Sequence, residues 1–140
     1  MEIVFQGGKR VNAVYHGFTI ETDQSQGSGG AGTAPEPFDL FLASIGTCAG
    51  IYVLNFCEAR NISMDGAGLI LTPGRDPDSG MVDKITIEIQ LPTDFPERYV
   101  AAVKRAAELC TVKRHLVDPP EFEVLTSSGE LAPIESLYPA

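Results

Sequence analysis

Residues 37–60 read PFDLFLASIGTCAGIYVLNFCEAR, and this stretch decides the fold. Nearly every residue between Phe38 and Phe56 is apolar or small, and the run is too long for one strand, so it predicts a helix buried on most sides. From Phe38 onward this helix would span about 34 Å, the width of a small domain. One small sheet would not cover it, so we expect a homodimer that shares one core. Cys48 lies near its middle, shielded unless a cleft opens onto the thiol.

The composition indicates a single globular domain over residues 1–140. With 140 residues, 44% of them hydrophobic, the chain is long enough for one core. Its formal net charge of −9 and pI near 4.5 argue against a phosphate backbone as partner, because nucleic-acid binding needs clustered Lys and Arg. The composition therefore excludes nucleic-acid binding as a function class.

The N-terminus and the cysteines bear on the compartment. Acidic Glu2 and the strand-like IVF after it lack the basic region and cleavage site of a signal peptide, and the apolar run 40–54 is too short to span a bilayer well. Cys48, Cys57 and Cys110 are odd in number and match neither a disulfide scaffold nor a CxxC zinc site. We expect a soluble protein of the reducing cytoplasm, without membrane contact.

Short strands and a second helix surround the long helix in the sequence. That second helix starts with the capping pattern TDFPE at 93–97, and Cys110 ends its apolar stripe. Strands and helices in separate runs indicate an α+β fold. In chain order we predict strands at 2–6, 10–15 and 18–23, a flexible loop at 24–37, strands at 62–72 and 81–91, a turn at 111–116, a closing strand at 122–126 and a loosely attached tail at 127–140.

Helical geometry separates two of the cysteines. At about 100° per residue, Cys57 lies about 180° around the helix from Cys48, which makes Cys57 a core residue. The Cys48 side carries the polar residues Ser44 and Asn55 on an otherwise apolar helix, as a cleft-lining stripe requires. The predicted cleft-lining residues are Phe41, Ser44, Tyr52 and Asn55.

A reactive thiol must ionise, and apolar surroundings raise the pKa of a thiol. The middle of a helix offers no help from the helix dipole, since that field fades within the first turn. We therefore expect a cation from elsewhere in the fold to face Cys48. The sequence leaves the choice open among Lys9, Arg10, His16, Lys113, Arg114 and His115.

The stretch GGAGTAPEPFDLFLASIGTCAG, followed by AELCTVKRHL, resembles the OsmC/Ohr family of osmotically inducible and organic hydroperoxide resistance proteins. The features are the Pro-x-x-Leu opening of the long helix at Pro37, the small-residue run into Cys48, and Cys110 at the end of a second helix. With the strands in the family's order, the resemblance covers nearly the whole chain. It implies antiparallel sheets wrapped around long central helices in an intertwined homodimer.

The resemblance also implies a thiol-dependent peroxidase of the oxidative stress response, with active sites at the subunit interface. Cys48 would attack the O–O bond of an organic hydroperoxide and become a sulfenic acid, and Cys110 would condense with it to a disulfide. A dithiol reductant of the lipoyl or thioredoxin type would then restore both thiols. Neither a cofactor nor a metal is implied.

Two departures from the Ohr branch concern charge. That branch places an arginine after a glycine pair, where this chain has Lys9 with Arg10 beside it, and lysine lacks the planar fork of arginine. It also has a glutamate ten residues before the first cysteine, where this chain has Phe38. Asp39 and Glu36 are the nearest acids, and an acid at the Asp39 position is similar to the OsmC-like branch.

Three other functions fit the same residues. The chain could be a redox-sensing module, or one that binds a small apolar ligand, with the cysteines oxidised as a signal and not in turnover. A cysteine nucleophile acting on acyl groups would use His16 or His115 as base. Zinc could bind Cys48, Cys110 and a histidine.

Overall fold

The computed structural model describes residues 1–129, which form an α+β fold as predicted. Short 3-10 helices at Gln26–Ser28 and Glu97–Tyr99 join the main elements. These elements are β1 (Glu2–Phe5), β2 (Val11–Tyr15), β3 (Phe18–Ile20), α1 (Pro37–Glu58), β4 (Gly68–Arg75), β5 (Val82–Gln90), α2 (Val100–Glu108) and α3 (Thr111–Val117).

The chain divides into two compact units, one holding residues 1–40 with the segment from 121 onward, the other residues 41–120. In the first unit, β1, β2 and β3 form an antiparallel sheet in sequence order. Its second turn needs left-handed backbone, which His16 (φ 47°) and Gly17 (φ 78°) provide. The predicted N-terminal strands are therefore confirmed, and a single domain over 1–140 stays a prediction.

Asp23 organises the loop predicted to be flexible at 24–37. Its carboxylate is buried and accepts hydrogen bonds from the N–H groups of Gln24 (2.8 Å), Ala31 (3.2 Å) and Thr33 (3.0 Å), and from the Thr33 hydroxyl (2.8 Å). The Thr33 backbone bond leads the causes that lower the pKa of Asp23 to about 2, against the effect of burial. The loop is thus tied to one carboxylate, while its flexibility stays a prediction.

Helix α1 begins with a capping arrangement and buries one stripe. The Glu36 N–H donates to the Asp39 carboxylate (3.0 Å), which satisfies a donor at the helix start. The buried residues follow one another at four-residue intervals: Ile45, Ala49, Val53 and Cys57. Burial on most sides is therefore wrong for the single chain, since Phe41 and Ile51 stay 36% and 48% exposed.

Among the described residues, α1 is the one helix long and apolar enough to cross a membrane by length and composition. The core helix of a soluble protein can have the same length and composition, so these properties do not distinguish a core helix from a membrane-spanning helix. The apolar run 40–54 was predicted to be too short to span a bilayer well, but the helix that contains it is longer and runs from Pro37 to Glu58. The absence of membrane contact stays a prediction.

The β4–β5 hairpin covers one side of α1 in the second unit. Leu71 of β4 packs against Gly46 of α1, where a Cβ would lie 3.6 Å from the Leu71 side chain. β4 starts later than the predicted 62–72 because Ser63 and Asp65 form a side-chain turn (2.8 Å) and Gly66 takes positive φ (76°). The hairpin itself is confirmed, with an irregular register between Gly74 and Arg75.

Two predictions at the C-terminal end are wrong. Residues 111–116 belong to a full helix, α3, and not to one turn. The closing strand at 122–126 does not form, since residues 121–128 carry no strand. A strand needs an edge to pair with, and Phe122 and Val124 are 88% and 92% exposed. The predicted tail at 127–140 lies almost wholly outside the described residues.

The core of the second unit joins α1 to α2 and to Cys110, which lies between α2 and α3. Its buried members are Ala49, Val53, Cys57, Val103, Ala107 and Cys110. Cys57 is a core residue as predicted, with its pKa raised by burial in spite of the Arg60 charge. This packing brings the chain around Cys110 onto the Cys48 side of α1.

Candidate active site

Cys110 lies at the junction of α2 and α3, one residue before α3 begins. Its backbone (φ −49°, ψ 127°) is not helical, and its sulfur caps α3 by accepting a hydrogen bond from the Lys113 N–H at 3.5 Å. The sequence predicted it on the stripe of the second helix, but α2 ends at Glu108. Its position as a helix cap, and not as a helical residue, sets which groups surround it.

The Cys48 and Cys110 side chains are brought together and hydrogen-bond to each other. Cys48 comes from the middle of α1 and Cys110 from the start of α3, so the contact joins distant parts of the chain. The Cys110 S–H has two acceptors within reach, the Cys48 sulfur and the Ile45 carbonyl oxygen at 3.9 Å. Both cysteines are free thiols here.

The surroundings of Cys48 favour its thiolate. Burial raises the pKa of the half-buried thiol, but hydrogen bonds from the Val112 N–H, the Cys110 S–H and the Thr111 N–H outweigh it. The resulting pKa lies below that of an ordinary cysteine, because all three donors bind the ionised sulfur better than the neutral one. The donors are two backbone N–H groups and a thiol, and the cation that the sequence predicted to face Cys48 stays a prediction.

The surroundings of Cys110 have the opposite effect. Burial raises the pKa of this fully buried thiol, and the Lys113 N–H lowers it only in part. The hydrogen bond to Cys48 and the negative charge that Cys48 carries raise it further. The opposite directions of the two pKa shifts favour ionisation of Cys48 before Cys110.

Of the predicted cleft-lining residues, Tyr52 contacts the surroundings of Cys48 most directly. Its hydroxyl bonds the Thr111 hydroxyl at 2.8 Å and so connects α1 to the first residue of α3. The Ser44 hydroxyl donates to the Phe41 carbonyl oxygen of its own helix at 2.7 Å. Asn55 is exposed. The cleft-lining roles of Phe41, Ser44 and Asn55 stay predictions.

The predicted supporting charges lie in the first unit. Arg10, Glu36 and Asp39 form hydrogen bonds with residues of that same unit. The Arg10 guanidinium donates to the Gln6 carbonyl oxygen at 3.2 Å, and Lys9 is exposed. Glu36 accepts the Ser25 N–H at 2.9 Å, and hydrogen bonds from Ser25 lower the pKa of Glu36. Asp39 caps α1 as described above. A role for Lys9, Arg10, Glu36 or Asp39 toward Cys48 stays a prediction.

The two histidines have different neighbours. His115 Nδ1 lies 2.8 Å from the Thr111 carbonyl oxygen, one helical turn earlier in α3. His16 packs against the Tyr15 ring with centroids 4.0 Å apart. Within residues 1–129, no group of three or more His, Cys, Asp or Glu side chains could hold a metal ion. These contacts of His115 and His16 add no support to zinc binding or to acyl chemistry.

The residues that sequence reasoning missed are Thr111, Val112 and the cap at Cys110. Their contribution is made by backbone N–H groups, which every residue except proline carries, so residue type gave no indication of it. One indication was available: CTVKRHLV before Pro119 is long enough for a short helix, and its first N–H groups would lack partners within the helix.

Comparisons with known proteins give one family and one fold. The sequence model of the family described as OsmC-like protein matches residues 29–124. No curated protein sequence matches the chain. A Psychrobacter arcticus protein, named for osmotic stress induction and a detoxification response, has a similar structure with a TM-score of 0.71 at 22% identity. That match covers 81% of this chain and 84% of the other.

Two further structures carry the name organic hydroperoxide resistance protein. The one from Legionella pneumophila matches with a TM-score of 0.52 at 16% identity, over 82% of this chain and 85% of its own. The one from Vibrio cholerae, with captopril bound in one of its active sites, matches with a TM-score of 0.51 at 17% identity over 81% of each chain. At these identities the likeness shows a shared fold.

Proposed function

This chain belongs to the OsmC-like protein family, and on that premise we propose that it is a thiol-dependent peroxidase that reduces organic hydroperoxides. The names of the Legionella and Vibrio proteins of the same fold support a role connected with peroxides. The proposal adds to that general role a mechanism with Cys48 as the attacking thiol and Cys110 as the resolving thiol.

One observation carries the proposal: a half-buried thiol and a buried thiol from distant parts of the chain lie in contact, in surroundings that shift their pKa values in opposite directions. A peroxidatic cysteine must be ionised and reachable, and Cys48 is half-buried with a lowered pKa. A resolving cysteine must lie within reach of the first without competing for the hydroperoxide, and Cys110 is buried with a raised pKa. The different surroundings of Cys48 and Cys110 support an attacking role for the first thiol and a resolving role for the second.

In the first step, the Cys48 thiolate attacks one oxygen of the hydroperoxide ROOH. An S–O bond forms, the O–O bond breaks, and the leaving alkoxide takes a proton to become the alcohol ROH. Cys48 is oxidised to a sulfenic acid and the hydroperoxide is reduced. The Thr111 and Val112 N–H groups that favour the thiolate also favour negative charge on the oxygen that the Cys48 sulfur gains.

In the second step, the Cys110 sulfur attacks the Cys48 sulfur, and the S–O bond breaks. The Cys110 proton leaves with the hydroxyl group as water, and a Cys48–Cys110 disulfide remains. A dithiol reductant of the lipoyl or thioredoxin type then reduces the disulfide by thiol exchange. The balance is one hydroperoxide and one dithiol converted to one alcohol, one water and one oxidised dithiol.

We propose further that the chain is a soluble cytoplasmic homodimer. The single chain leaves Ile51 of α1 and Leu109 exposed at 48% and 62%, and Phe122 and Val124 more so. Apolar side chains this exposed in both units support cover by a protein partner, and a second copy is the partner that the family resemblance predicts. Size-exclusion chromatography coupled to light scattering measures the mass of the particle in solution and so distinguishes a dimer from a monomer.

The peroxidase proposal is tested by turnover. The wild type should consume cumene hydroperoxide in the presence of dihydrolipoamide, and Cys48→Ser should abolish consumption because serine is not ionised at neutral pH. Cys57→Ala, which removes a buried core thiol, is the matched control and should turn over like the wild type. Persistent turnover in Cys48→Ser would remove Cys48 from the mechanism.

Disulfide mapping tests the second step. One equivalent of hydroperoxide, added without reductant, should produce a Cys48–Cys110 disulfide and leave Cys57 free in peptide mass spectrometry. A Cys48 that stays at the sulfenic acid, or that a second equivalent of hydroperoxide converts to the sulfinic acid, would exclude Cys110 as resolving thiol. A disulfide without catalytic turnover would favour the redox-sensing alternative, in which oxidation is the signal.

A further inference from the structure

The first residue of α3 is held at three points. Its N–H donates to Cys48, its hydroxyl bonds the Tyr52 hydroxyl at 2.8 Å, and its carbonyl oxygen lies 2.8 Å from His115 Nδ1. Because a carbonyl oxygen only accepts, the His115 ring nitrogen is the donor in that bond. Thr111 is therefore a residue whose peptide orientation is fixed from several directions.

Helix α3 needs such restraints. It has 7 residues, and an isolated helix that short is not stable in water. Small rotations of its first turn would move the Thr111 and Val112 N–H groups away from the Cys48 sulfur. The Cys110 cap holds the turn from within the same segment, whereas Tyr52 ties it to α1, one helical turn after Cys48.

We propose that Tyr52 and Thr111 are positioning residues, whose hydroxyl–hydroxyl hydrogen bond holds the first peptide groups of α3 on the Cys48 sulfur. The phenol suits this task because its ring is rigid and only the hydroxyl reaches Thr111. Neither hydroxyl touches the reacting atoms in the arrangement described here. The inference rests on the proposed function only in taking Cys48 as the reactive thiol.

The test measures ionisation of Cys48 without any peroxide. The alkylation rate of Cys48 by iodoacetamide is followed against pH by peptide mass spectrometry, with thiolate absorbance as a second readout. In Tyr52→Phe and in Thr111→Val, the neutral-pH rate should fall by about threefold to tenfold, the range expected for loss of one neutral hydrogen bond. At high pH, where the thiol is fully ionised, the rate should equal that of the wild type.

Matched variants separate positioning from general destabilisation. Tyr99→Phe removes the hydroxyl of a ring that packs on Phe56, which lies two turns after Cys48 in α1. Thr47→Val removes a hydroxyl that donates to the Ala43 carbonyl oxygen of its own helix. Both should keep the wild-type profile. Thr111→Ser retains the hydroxyl and should recover the rate that Thr111→Val loses.

The double variant decides between one shared bond and two separate effects. Tyr52→Phe combined with Thr111→Val should alkylate no more slowly than either single variant, because the bond is already lost. Additive losses, or single variants with an unchanged pH profile, overturn the inference. Because the readout is alkylation, absence of peroxidase turnover in the wild type would defeat the proposed function and leave this inference standing.

Discussion

Replacing Cys110 with alanine removes both contributions that this thiol makes to Cys48, and alkylation and oxidation measure the two losses separately. The variant removes the S–H that donates to the Cys48 sulfur and the sulfur that could resolve a sulfenic acid, while the Thr111 and Val112 N–H groups stay. We therefore expect the pKa of Cys48 to rise, although part of its lowering should remain. The lost cap for the Lys113 N–H should also lower the melting temperature by a few degrees.

The size of the effect follows from the kind of bond. Hydrogen bonds to ionised groups contribute about 1.5–3 kcal/mol, and a thiol is a weak donor, so the lower end of the range applies. Since about 1.4 kcal/mol corresponds to tenfold, alkylation of Cys48 at neutral pH should slow about tenfold. Because Cys110 is buried beside Cys48, we do not expect a water molecule to replace the lost donor in Cys110→Ala.

The assay is the pH profile of Cys48 alkylation in Cys110→Ala, in the wild type and in Cys57→Ala. Cys57→Ala removes a buried thiol that is not bonded to Cys48 and should leave the profile unchanged. Under hydroperoxide, Cys110→Ala should pass from sulfenic to sulfinic acid at Cys48, because no neighbouring thiol intercepts it. A variant that alkylates at neutral pH as fast as the wild type would refute the role of the Cys110 hydrogen bond.

Two predictions concern the loop around Asp23. Asp23→Asn should lower the melting temperature at neutral pH, and its difference from the wild type should shrink as the pH falls below 3.8 toward 2, where the native carboxylate takes up its proton. Thermal melts of both proteins over this range check the sign, and a difference that grows in acid would contradict it. Gly30→Ala should destabilise by about 1–3 kcal/mol, because its Cβ would overlap the Gln24 carbonyl group. Gly27→Ala, where a Cβ meets nothing within 4 Å, is the control, and equal melts for the two would be inconsistent with the clash.

The α1 helix and the core position of Cys57 could be predicted from the sequence, since both depend on local residue type, whereas the single buried stripe of α1 was not predicted. A long run of apolar and small residues between Phe38 and Phe56 indicates a helix, and the helical angle between Cys48 and Cys57 assigns Cys57 to the core. The N-terminal strands also follow from alternation and from glycine at turns. These features need only neighbours along the chain.

The extent of β4 and the closing strand could not be predicted in the same way. Ser63 and Asp65 satisfy each other in a turn, which delays the strand that the apolar residues alone would begin earlier. Residues 122–126 have the composition of a strand, yet no described strand pairs with them. Whether apolar residues form a strand depends on an available edge, and composition does not show one.

The source of the lowered pKa at Cys48 was decided by tertiary structure. The sequence placed two thiols on elements that could meet and showed that the first would need help to ionise. It indicated a cation, because charged side chains are the donors that a sequence displays. The fold brings the N–H groups of Thr111 and Val112 to the sulfur, with Cys110 between α2 and α3, while a cation facing Cys48 stays a prediction. Backbone N–H groups are common to nearly every residue, so only packing decides which of them reach a thiolate.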